Sequence, residues 1–299
     1  MRLKTVGILS PGDMGHTVGQ VLGSHGLRVI TCLQGRSART RSLAARARIA
    51  DVLTYRALVS EADILLSILV PAQAKQAAQA VAQAMSETGT DLVYADCNAI
   101  APQTARQIGE VIAQAGGRFV DASIIGPPPR REGGTRFYAS GPHASTFEEL
   151  SPFGLDVVVL GEQIGQASAI KMCYAALTKG LSALCTELLI AAEILGVSQA
   201  LKREFELSQA MLYDRMERGL PRMPMKSRRW VGEMEEIAQT FEGVGLTPKM
   251  LAGAADMYRF VGATDLAERT PEDPDPSPTL AQVLSVLATR LRETPEEGG

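Results

Sequence analysis

Few side chains in this sequence combine a suitable type and setting for acid–base chemistry, and one lysine has the best setting. Lys171 lies in the apolar stretch 167–177 (ASAIKMCYAAL), with Tyr174 and Thr178 on the same face of a helix. Desolvation there would lower the pKa of the lysine toward about 7 to 8, where a general acid or base is useful. The alternative is that its amine reaches out to water, as the amines of helical lysines generally do.

The three histidines and the four cysteines have poorer settings for chemistry. His16 and His25 fall on the first predicted helix and at its end, and His143 falls in a surface-like SGPH turn. No Ser-His-Asp arrangement and no metal-like spacing is present, so we expect no metal site. The cysteines have no close pairing, which favours a reduced, cytoplasmic setting.

A turn rich in small residues follows the first predicted strand. Residues 6–15 read VGILSPGDMG, which predicts a strand, a tight turn and a helix N-terminus able to meet a pyrophosphate. Gly12 and Gly15 take the second and third places of the G-x-G-x-x-G fingerprint, and Ser10 takes the first. A turn of this kind can also bind nothing. The predicted cofactor contacts here are Ser10, Gly12, Asp13, Met14 and Gly15.

The end of the second predicted strand indicates which dinucleotide would bind. Acidic side chains are absent between Asp13 and Asp51, although an NAD site usually has one there for the ribose 2′-OH. Arg36 and Ser37 stand at this point instead, and an arginine beside a hydroxyl suits a 2′-phosphate. The alternative is that both belong to the solvated face of the next helix. We favour NADP as the cofactor.

Strands and helices alternate over roughly the first 160 residues. The nearly unbroken apolar run 62–70 is typical of a strand covered on both faces. Further strands are predicted at 27–33, 91–95, 118–125, 136–140 and 156–160. The pattern predicts an α/β fold with an N-terminal Rossmann doubly wound sheet, whose ligands lie beyond the carboxyl ends of the strands. The residues that should share this crevice are Gly12, Arg36, Pro71, Asn98 and Gly126.

Helices predominate after residue 161. They are predicted over 164–195, 198–213, 230–244 and 248–260. We therefore predict an NADP-binding Rossmann domain at 1–162 and an all-α C-terminal domain for substrate binding and dimerisation at 163–299. The segment 270–278 (TPEDPDPSP) is predicted to be a linker, and an apolar stripe over 280–291 indicates a further helix. Because the helix over 164–195 is apolar on more than one face, we expect a homodimer in which these domains pack together.

Composition and charge indicate which partners to expect. The net charge of −3 gives no excess of positive charge that would bind nucleic acid or an anionic membrane. The longest apolar helix carries Glu187 and Glu193, which argues against a membrane span. The N-terminal apolar run is too short for a signal peptide. We expect a cytoplasmic protein with a small-molecule substrate and neither a nucleic-acid nor a membrane partner.

The order of the motifs is similar to that of the β-hydroxyacid dehydrogenase superfamily, which includes 6-phosphogluconate and 3-hydroxyisobutyrate dehydrogenases. SPGDMG resembles the family's GLGNMG turn, QGRSA its NADP loop, and LLSILVPAQA the loop that covers the cofactor. DCNAIAP resembles its D-x-S-T-x-x-P element, DASIIGP its substrate loop, and GQASAIKMCYA the helix of its catalytic lysine. RWVGEMEEIA resembles its K-D-L-x-L-A helix. The resemblance extends to about residue 262 and is closest to members whose C-terminal domain has no assigned function.

This resemblance implies an NADP-dependent oxidoreductase that transfers a hydride between nicotinamide and a hydroxy or carbonyl substrate. Lys171 falls on the catalytic lysine, which implies that it is the general acid or base. Further implied cofactor contacts are Leu69, Val70, Pro71 and Asn98. The implied substrate contacts are Ser123, Gly126, Tyr174 and Glu233. Family members of this kind also dimerise through the C-terminal domain.

Several positions depart from the family's pattern. Ile125 and Pro127 replace a serine and a glycine of the substrate loop, and Tyr174 and Ala175 replace the asparagines after the lysine. Gly232 stands where a second lysine is usual. The departures predict a substrate other than a typical small β-hydroxyacid. Two alternatives stay open: an imine reductase of the same fold, whose members usually lack the lysine, and a non-catalytic nucleotide-binding regulator.

Overall fold

The computed structural model describes residues 3–130, 133–270 and 278–293. The chain divides into two compact units, Met1–Cys173 and Tyr174–Gly299. This division falls inside one long helix, whereas the boundary predicted from the sequence lies before that helix, at residue 162.

The first unit alternates strands and helices, as the sequence predicts. Its strands are β1 (Thr5–Leu9), β2 (Arg28–Thr31), β3 (Ala50–Asp51), β4 (Ile64–Ser67), β5 (Val93–Asp96), β6 (Arg118–Ile125), β7 (Arg136–Ser140) and β8 (Asp156–Gly161). Its helices are α1 (Asp13–Ser24), α2 (Ala38–Arg46), α3 (Tyr55–Glu61), α4 (Ala74–Thr88), α5 (Pro102–Gln114) and α6 (Ala144–Glu148). The long helix α7 (Gln166–Ile194) begins in this unit and ends in the second.

The strands form one eight-stranded sheet in the order β3-β2-β1-β4-β5-β6-β7-β8. Strands β1 to β6 pair in parallel, β7 is antiparallel to β6, and β8 is parallel to β7. The chain crosses from one side of β1 to the other between β3 and β4. A reversal of this kind opens a crevice at the carboxyl ends of the two neighbouring central strands. The predicted doubly wound sheet is confirmed.

Both faces of the sheet are covered, which explains the long apolar runs in its central strands. On β1 and β4, Ile8 and Leu66 pack into the core on one face, while Leu9 and Leu65 pack into the core on the other. All four side chains are buried. Burying each side chain of this size stabilises the fold by about 1.5 to 3 kcal/mol. The sheet is therefore a rigid platform for the loops at its edge.

The second unit is helical, with α8 (Ser198–Ser208), α9 (Ala210–Gly219), α10 (Pro224–Glu242), α11 (Lys249–Gly262) and α12 (Leu280–Glu293). The single helix predicted over 198–213 is two helices, because Gln209 leaves the helical region at φ −137° and ψ 34°. Helix α10 begins earlier than predicted, at Pro224, since proline is well suited to the first helical position. Residues 271–277 of the predicted linker lie outside the described residues.

Among the described residues, α7 is the one helix long and apolar enough to cross a membrane by length and composition. In its most apolar 18-residue window, 39% of the residues are buried in the protein. The core helix of a soluble protein meets the same criterion, so the predicted absence of a membrane partner stays a prediction.

Candidate active site

The carboxyl ends of five parallel strands lie at one edge of the sheet. Because β1, β2, β4, β5 and β6 run in the same direction, the loops that follow them meet at this edge. The residues that the sequence assigns to these loops are Ser10 after β1, Arg36 after β2, Pro71 after β4, Asn98 after β5 and Gly126 after β6.

The turn between β1 and α1 leaves the start of the helix open to an anion. Gly12 is the N-cap of α1, and no side chain caps the first turn. The Gly12 N–H donates to the Ser10 carbonyl oxygen at 2.7 Å, and Ser10 has a positive φ of 57°. A Cβ at Gly15 would lie 2.9 Å from that same carbonyl oxygen, so only glycine lets the helix start this close to the turn. The uncapped first turn of α1 fits the pyrophosphate of a dinucleotide.

The loop after β2 carries an arginine whose partner is a phenol. Arg36 donates from Nη2 to the Tyr55 hydroxyl at 3.4 Å, and no carboxylate of the described residues lies within ion-pair distance of it. Two neighbouring arginines are engaged elsewhere. Arg39 pairs with Asp13, and Arg41 donates to the Leu33 carbonyl oxygen at 2.6 Å. Arg36 is therefore the arginine of this loop best placed to meet a 2′-phosphate.

Ser37 has a structural task as well as its predicted one. Its Oγ is the N-cap of α2 and accepts from the Thr40 N–H at 3.2 Å. This bond uses the oxygen as an acceptor, and a hydroxyl also carries one donor. Residue 37 therefore starts the helix directly beside Arg36, and both alternatives drawn from the sequence are compatible with this geometry.

Asn98 connects two loops of the predicted cofactor edge. It is 2% exposed, and its Oδ1 accepts from the Leu69 N–H at 2.5 Å. Its Nδ2 donates to the Ser67 hydroxyl at 3.0 Å. The side chain thus shapes the loop after β4, in which Val70 is exposed and Pro71 is buried. With its amide used in this way, Asn98 fits a positioning task better than a direct contact with the cofactor.

Lys171 lies where α7 passes the end of β6. The residue is partly buried, and its Nζ donates to the Ile124 carbonyl oxygen at 2.6 Å. Ile124 is the residue before the last of β6, so the amine lies at the same edge of the sheet as the loops described above. Close by, Gly126 has φ 133°, and a Cβ there would lie 2.3 Å from the Gly134 carbonyl oxygen. Only glycine fits at this predicted substrate contact.

A buried carboxylate, for which the sequence predicts no role, holds the start of α7. Asp121 Oδ2 accepts from the Ser140 hydroxyl at 2.9 Å, the Gly165 N–H at 2.8 Å and the Ser168 N–H at 3.1 Å. Its Oδ1 accepts from the Ser168 hydroxyl at 2.6 Å. Burial raises the pKa of Asp121, and the hydrogen bonds counteract that rise. Asp121 fixes the helix that presents Lys171.

Ser123 belongs to the same connection between β6 and α7. The residue is fully buried, and its hydroxyl donates to the Ala167 carbonyl oxygen. Ser123 was predicted to contact the substrate. In the structure its hydroxyl links the strand to the helix, which is the work of a positioning residue, and the substrate contact stays a prediction.

The two remaining predicted substrate contacts lie in the second unit. Tyr174 is on α7, three residues after Lys171, and is 51% exposed. Glu233 is buried, with Oε2 2.9 Å from Lys179 Nζ and Oε1 3.3 Å from Arg229 Nε. The Glu233 carboxylate is therefore shared by two cations. Lys179, the partner of Glu233, was not predicted from the sequence, although it lies on the same helix as Lys171.

The groups considered for other chemistry have ordinary surroundings. His16 Nδ1 lies 2.6 Å from the Gly12 carbonyl oxygen, within the turn before α1. All four cysteines are free. Within residues 3–130, 133–270 and 278–293, no group of three His, Cys, Asp or Glu side chains is placed to hold a metal ion.

Comparison with known proteins assigns both parts of the chain to known domain families. Residues 5–157 match the NAD binding domain of 6-phosphogluconate dehydrogenase. Residues 192–261 match a domain of unknown function, DUF1932. The chain is 27% identical over 257 residues to an uncharacterised 28.5 kDa protein of Methanothermus fervidus, a match that covers 86% of this chain and 98% of that one.

Solved structures agree with these matches. A conserved protein of unknown function, MTH1747, whose structure is described as similar to 3-hydroxyacid dehydrogenases, has a TM-score of 0.64 and 29% identity, over 86% of this chain and 97% of that one. The 3-hydroxyisobutyrate dehydrogenase of Mycobacterium tuberculosis has a TM-score of 0.69 and 18% identity, over 95% and 99% of the two chains. At that identity the likeness shows the fold.

The fold, the open turn before α1 and the domain matches together define an NAD(P)-dependent oxidoreductase with a Rossmann domain for the nicotinamide cofactor. More closely, the chain belongs to the β-hydroxyacid dehydrogenase-like family, in the group that carries a C-terminal DUF1932 domain.

Proposed function

We propose that this protein is an NADP-dependent dehydrogenase or reductase that acts on a hydroxy or carbonyl substrate, with Lys171 as its general acid or base. The observation that carries the proposal is the position of Lys171 Nζ, 2.6 Å from the Ile124 carbonyl oxygen at the carboxyl end of β6. The turn that fits a pyrophosphate lies at the same edge of the sheet.

The cofactor residues divide into those that bind and those that position. The uncapped first turn of α1 would hold the pyrophosphate with its N–H groups, and Arg36 would hold the 2′-phosphate. Asn98 would position the loop after β4, so that the exposed Val70 is presented to the cofactor. The preference for NADP depends on Arg36, because no acidic side chain lies between Asp13 and Asp51.

Lys171 would exchange the proton that accompanies the hydride. Bound NADPH would donate the hydride in the reduction and NADP⁺ would accept it in the oxidation, so the enzyme must give a proton to the substrate oxygen in the first case and take one from it in the second. A lysine ammonium has three N–H donors, and the Ile124 carbonyl oxygen accepts one of them. This bond fixes where the amine lies, and Asp121 fixes the helix that carries it.

The substrate pocket would differ from that of typical small β-hydroxyacid dehydrogenases. Ile125 and Pro127 flank Gly126 where the family has polar or small residues, which favours a more apolar substrate. On α7, three residues after Lys171, Tyr174 would supply the hydrogen bond that the family obtains from asparagine. A homodimer and a cytoplasmic location are further parts of this proposal, supported by the exposed apolar face of α7 and by the free cysteines.

The experiment that tests the proposal is NADPH consumption by the purified protein with a panel of aldehydes, ketones and imines. We expect turnover with NADPH of at least one aldehyde or ketone, and much slower turnover with NADH. Turnover of imines alone would favour the imine reductase alternative. Tight NADPH binding without turnover of any compound in a broad panel would contradict an enzymatic function and favour the regulator.

A further inference from the structure

The helical second unit contains a cavity that the proposed reaction does not use. Its volume is about 290 Å³, close to the lower end of the range for small-molecule sites. It lies between α7, α9 and α10. Its wall has an apolar part and a cationic part. Leu181, Met216 and Trp230 form the apolar part, and Lys179, Arg215 and Lys226 form the cationic part.

Positive charge is concentrated at one wall of this cavity. The ammonium groups of Lys179 and Lys226 lie 5.5 Å and 5.9 Å from the centre of the Trp230 ring. An indole face attracts cations, but it carries no net charge that could neutralise two of them. The nearby Glu233 is already shared by Lys179 and Arg229.

Within the described residues, two of the cations have no acidic partner, since no carboxylate lies within 4 Å of the charged nitrogens of Lys226 or Arg215. Partial burial of its ammonium, followed by the positive charges of Arg229, Arg222 and Lys179, lowers the pKa of Lys226, although the residue as a whole is exposed. The cavity therefore has an excess of positive charge next to apolar surface, and a bound anion would relieve that excess.

We propose that this cavity binds a small organic oxyanion. Its carboxylate or phosphate would lie between Lys226, Lys179 and Arg215, and its apolar body would pack against Trp230 and Met216. The inference goes beyond the proposed function. It concerns binding within the helical unit, requires no cofactor, and can be tested without turnover.

Trp230 is the single tryptophan of the chain and lies in the cavity wall, so its fluorescence reports directly on binding. The full-length protein is titrated with benzoate, phenyl phosphate and inorganic phosphate, with benzamide as the neutral control. Each titration is repeated by calorimetry to detect binding that leaves the fluorescence unchanged. We expect saturable binding of benzoate or phenyl phosphate, weaker binding of inorganic phosphate, and none of benzamide. The tighter of the two aromatic anions identifies the carboxylate or the phosphate as the preferred group.

Two lysine variants test whether the cations of the cavity carry the binding. Lys226→Gln should raise the dissociation constant roughly tenfold or more, as expected when a hydrogen bond to a charged group is lost. Lys249→Gln, at an exposed lysine of α11, is the matched control and should bind like the wild type. The proposal is overturned if no oxyanion binds, if benzamide binds as well as benzoate, or if the two variants behave alike. Lys226 is exposed, and circular dichroism verifies that its variant is folded.

Discussion

Arg36 is the residue on which the proposed preference for NADP depends. Its guanidinium contacts a tyrosine hydroxyl, while the neighbouring Arg39 and Arg41 are engaged with a carboxylate and a carbonyl oxygen. A guanidinium in this setting can bind a phosphate without breaking an ion pair.

Replacing Arg36 with alanine should weaken NADPH binding by about 1.5 to 3 kcal/mol, the range for hydrogen bonds to charged groups. NADH binding should hardly change, because NADH has no 2′-phosphate. Calorimetric titration of both cofactors measures the two effects. Arg46→Ala, at an exposed arginine of the last turn of α2, is the matched control. An equal loss of affinity for both cofactors would mean that Arg36 stabilises the loop and does not bind the 2′-phosphate.

Lys171 shows how the structure decides between alternatives that the sequence leaves open. The apolar stretch around it was compatible with a positioned amine or with an amine that reaches out to water. Its Nζ donates to the Ile124 carbonyl oxygen at 2.6 Å, so the amine is positioned at the end of a strand. The role of the amine as a general acid or base stays a proposal.

At the scale of elements, the connection between β6 and α7 is the part of the fold that presents Lys171. Its polar centre is Asp121, which accepts from two backbone N–H groups and two hydroxyls. Leaving a buried donor unsatisfied costs about 1 to 3 kcal/mol, so the loss of even one of these bonds should be measurable.

Asp121→Asn should destabilise the first unit by about 1 to 3 kcal/mol, because an amide has one acceptor oxygen where the carboxylate has two. Urea unfolding measures this loss, and hydrogen exchange should show faster exchange at the N–H groups of Gly165 and Ser168. Asp156→Asn, at an exposed aspartate that begins β8, is the control. Unchanged stability and exchange in Asp121→Asn would show that this carboxylate does not hold the helix.

Gly126 tests a second feature of the same element, the close passage of the backbone after β6. Gly126→Ala would place a Cβ 2.3 Å from the Gly134 carbonyl oxygen, so the backbone must shift. Gly133 also has a positive φ, of 73°, but a Cβ there would meet nothing within 4 Å. We expect Gly126→Ala to lower the melting temperature and the activity clearly more than Gly133→Ala does. If the two variants had equal effects, the positive φ alone would account for the loss, and the close contact at Gly126 would contribute nothing.

The arrangement of elements could be predicted from the sequence, because it depends on local patterns. Strands β6 and β7 begin and end at the residues predicted from their apolar runs. The break between α8 and α9 at Gln209 was missed, because neither glycine nor proline marks it.

Hydrogen-bond partners that are distant in the chain could not be predicted in this way. Ser123 donates to a carbonyl oxygen 44 residues away, and Asn98 accepts from an N–H 29 residues away. The strand pattern predicted Asn98 at the carboxyl edge of the sheet, and the family resemblance implied a substrate contact for Ser123. Whether a side chain there faces a ligand or another loop depends on packing, which periodicity does not encode.

For the whole molecule, the main expectation is a homodimer. Helix α7 leaves apolar side chains exposed at helical spacing, with Leu177 64% and Leu184 55% exposed. A large exposed apolar stripe of this kind is typical of a surface that another protein covers.

Light scattering at micromolar concentration should give twice the 31.9 kDa mass of one chain. Leu184→Glu should shift the mass toward the monomer, because it places a charge within the apolar stripe. Leu207→Glu, at a leucine of α8 that is 85% exposed, should leave the dimer intact. A wild-type mass near that of one chain would contradict the dimer.

The central claim is that Lys171 exchanges the proton in an NADP-dependent hydride transfer. The most direct test is the rate of NADPH oxidation by wild type and Lys171→Ala with a substrate identified in the panel, at saturating cofactor. We predict that kcat falls by about 10²- to 10⁴-fold while NADPH affinity changes little, and that Lys171→Arg does not restore the rate. If Lys171→Ala kept more than about a tenth of the wild-type kcat, the proton would have to come from another group and the assignment would be wrong.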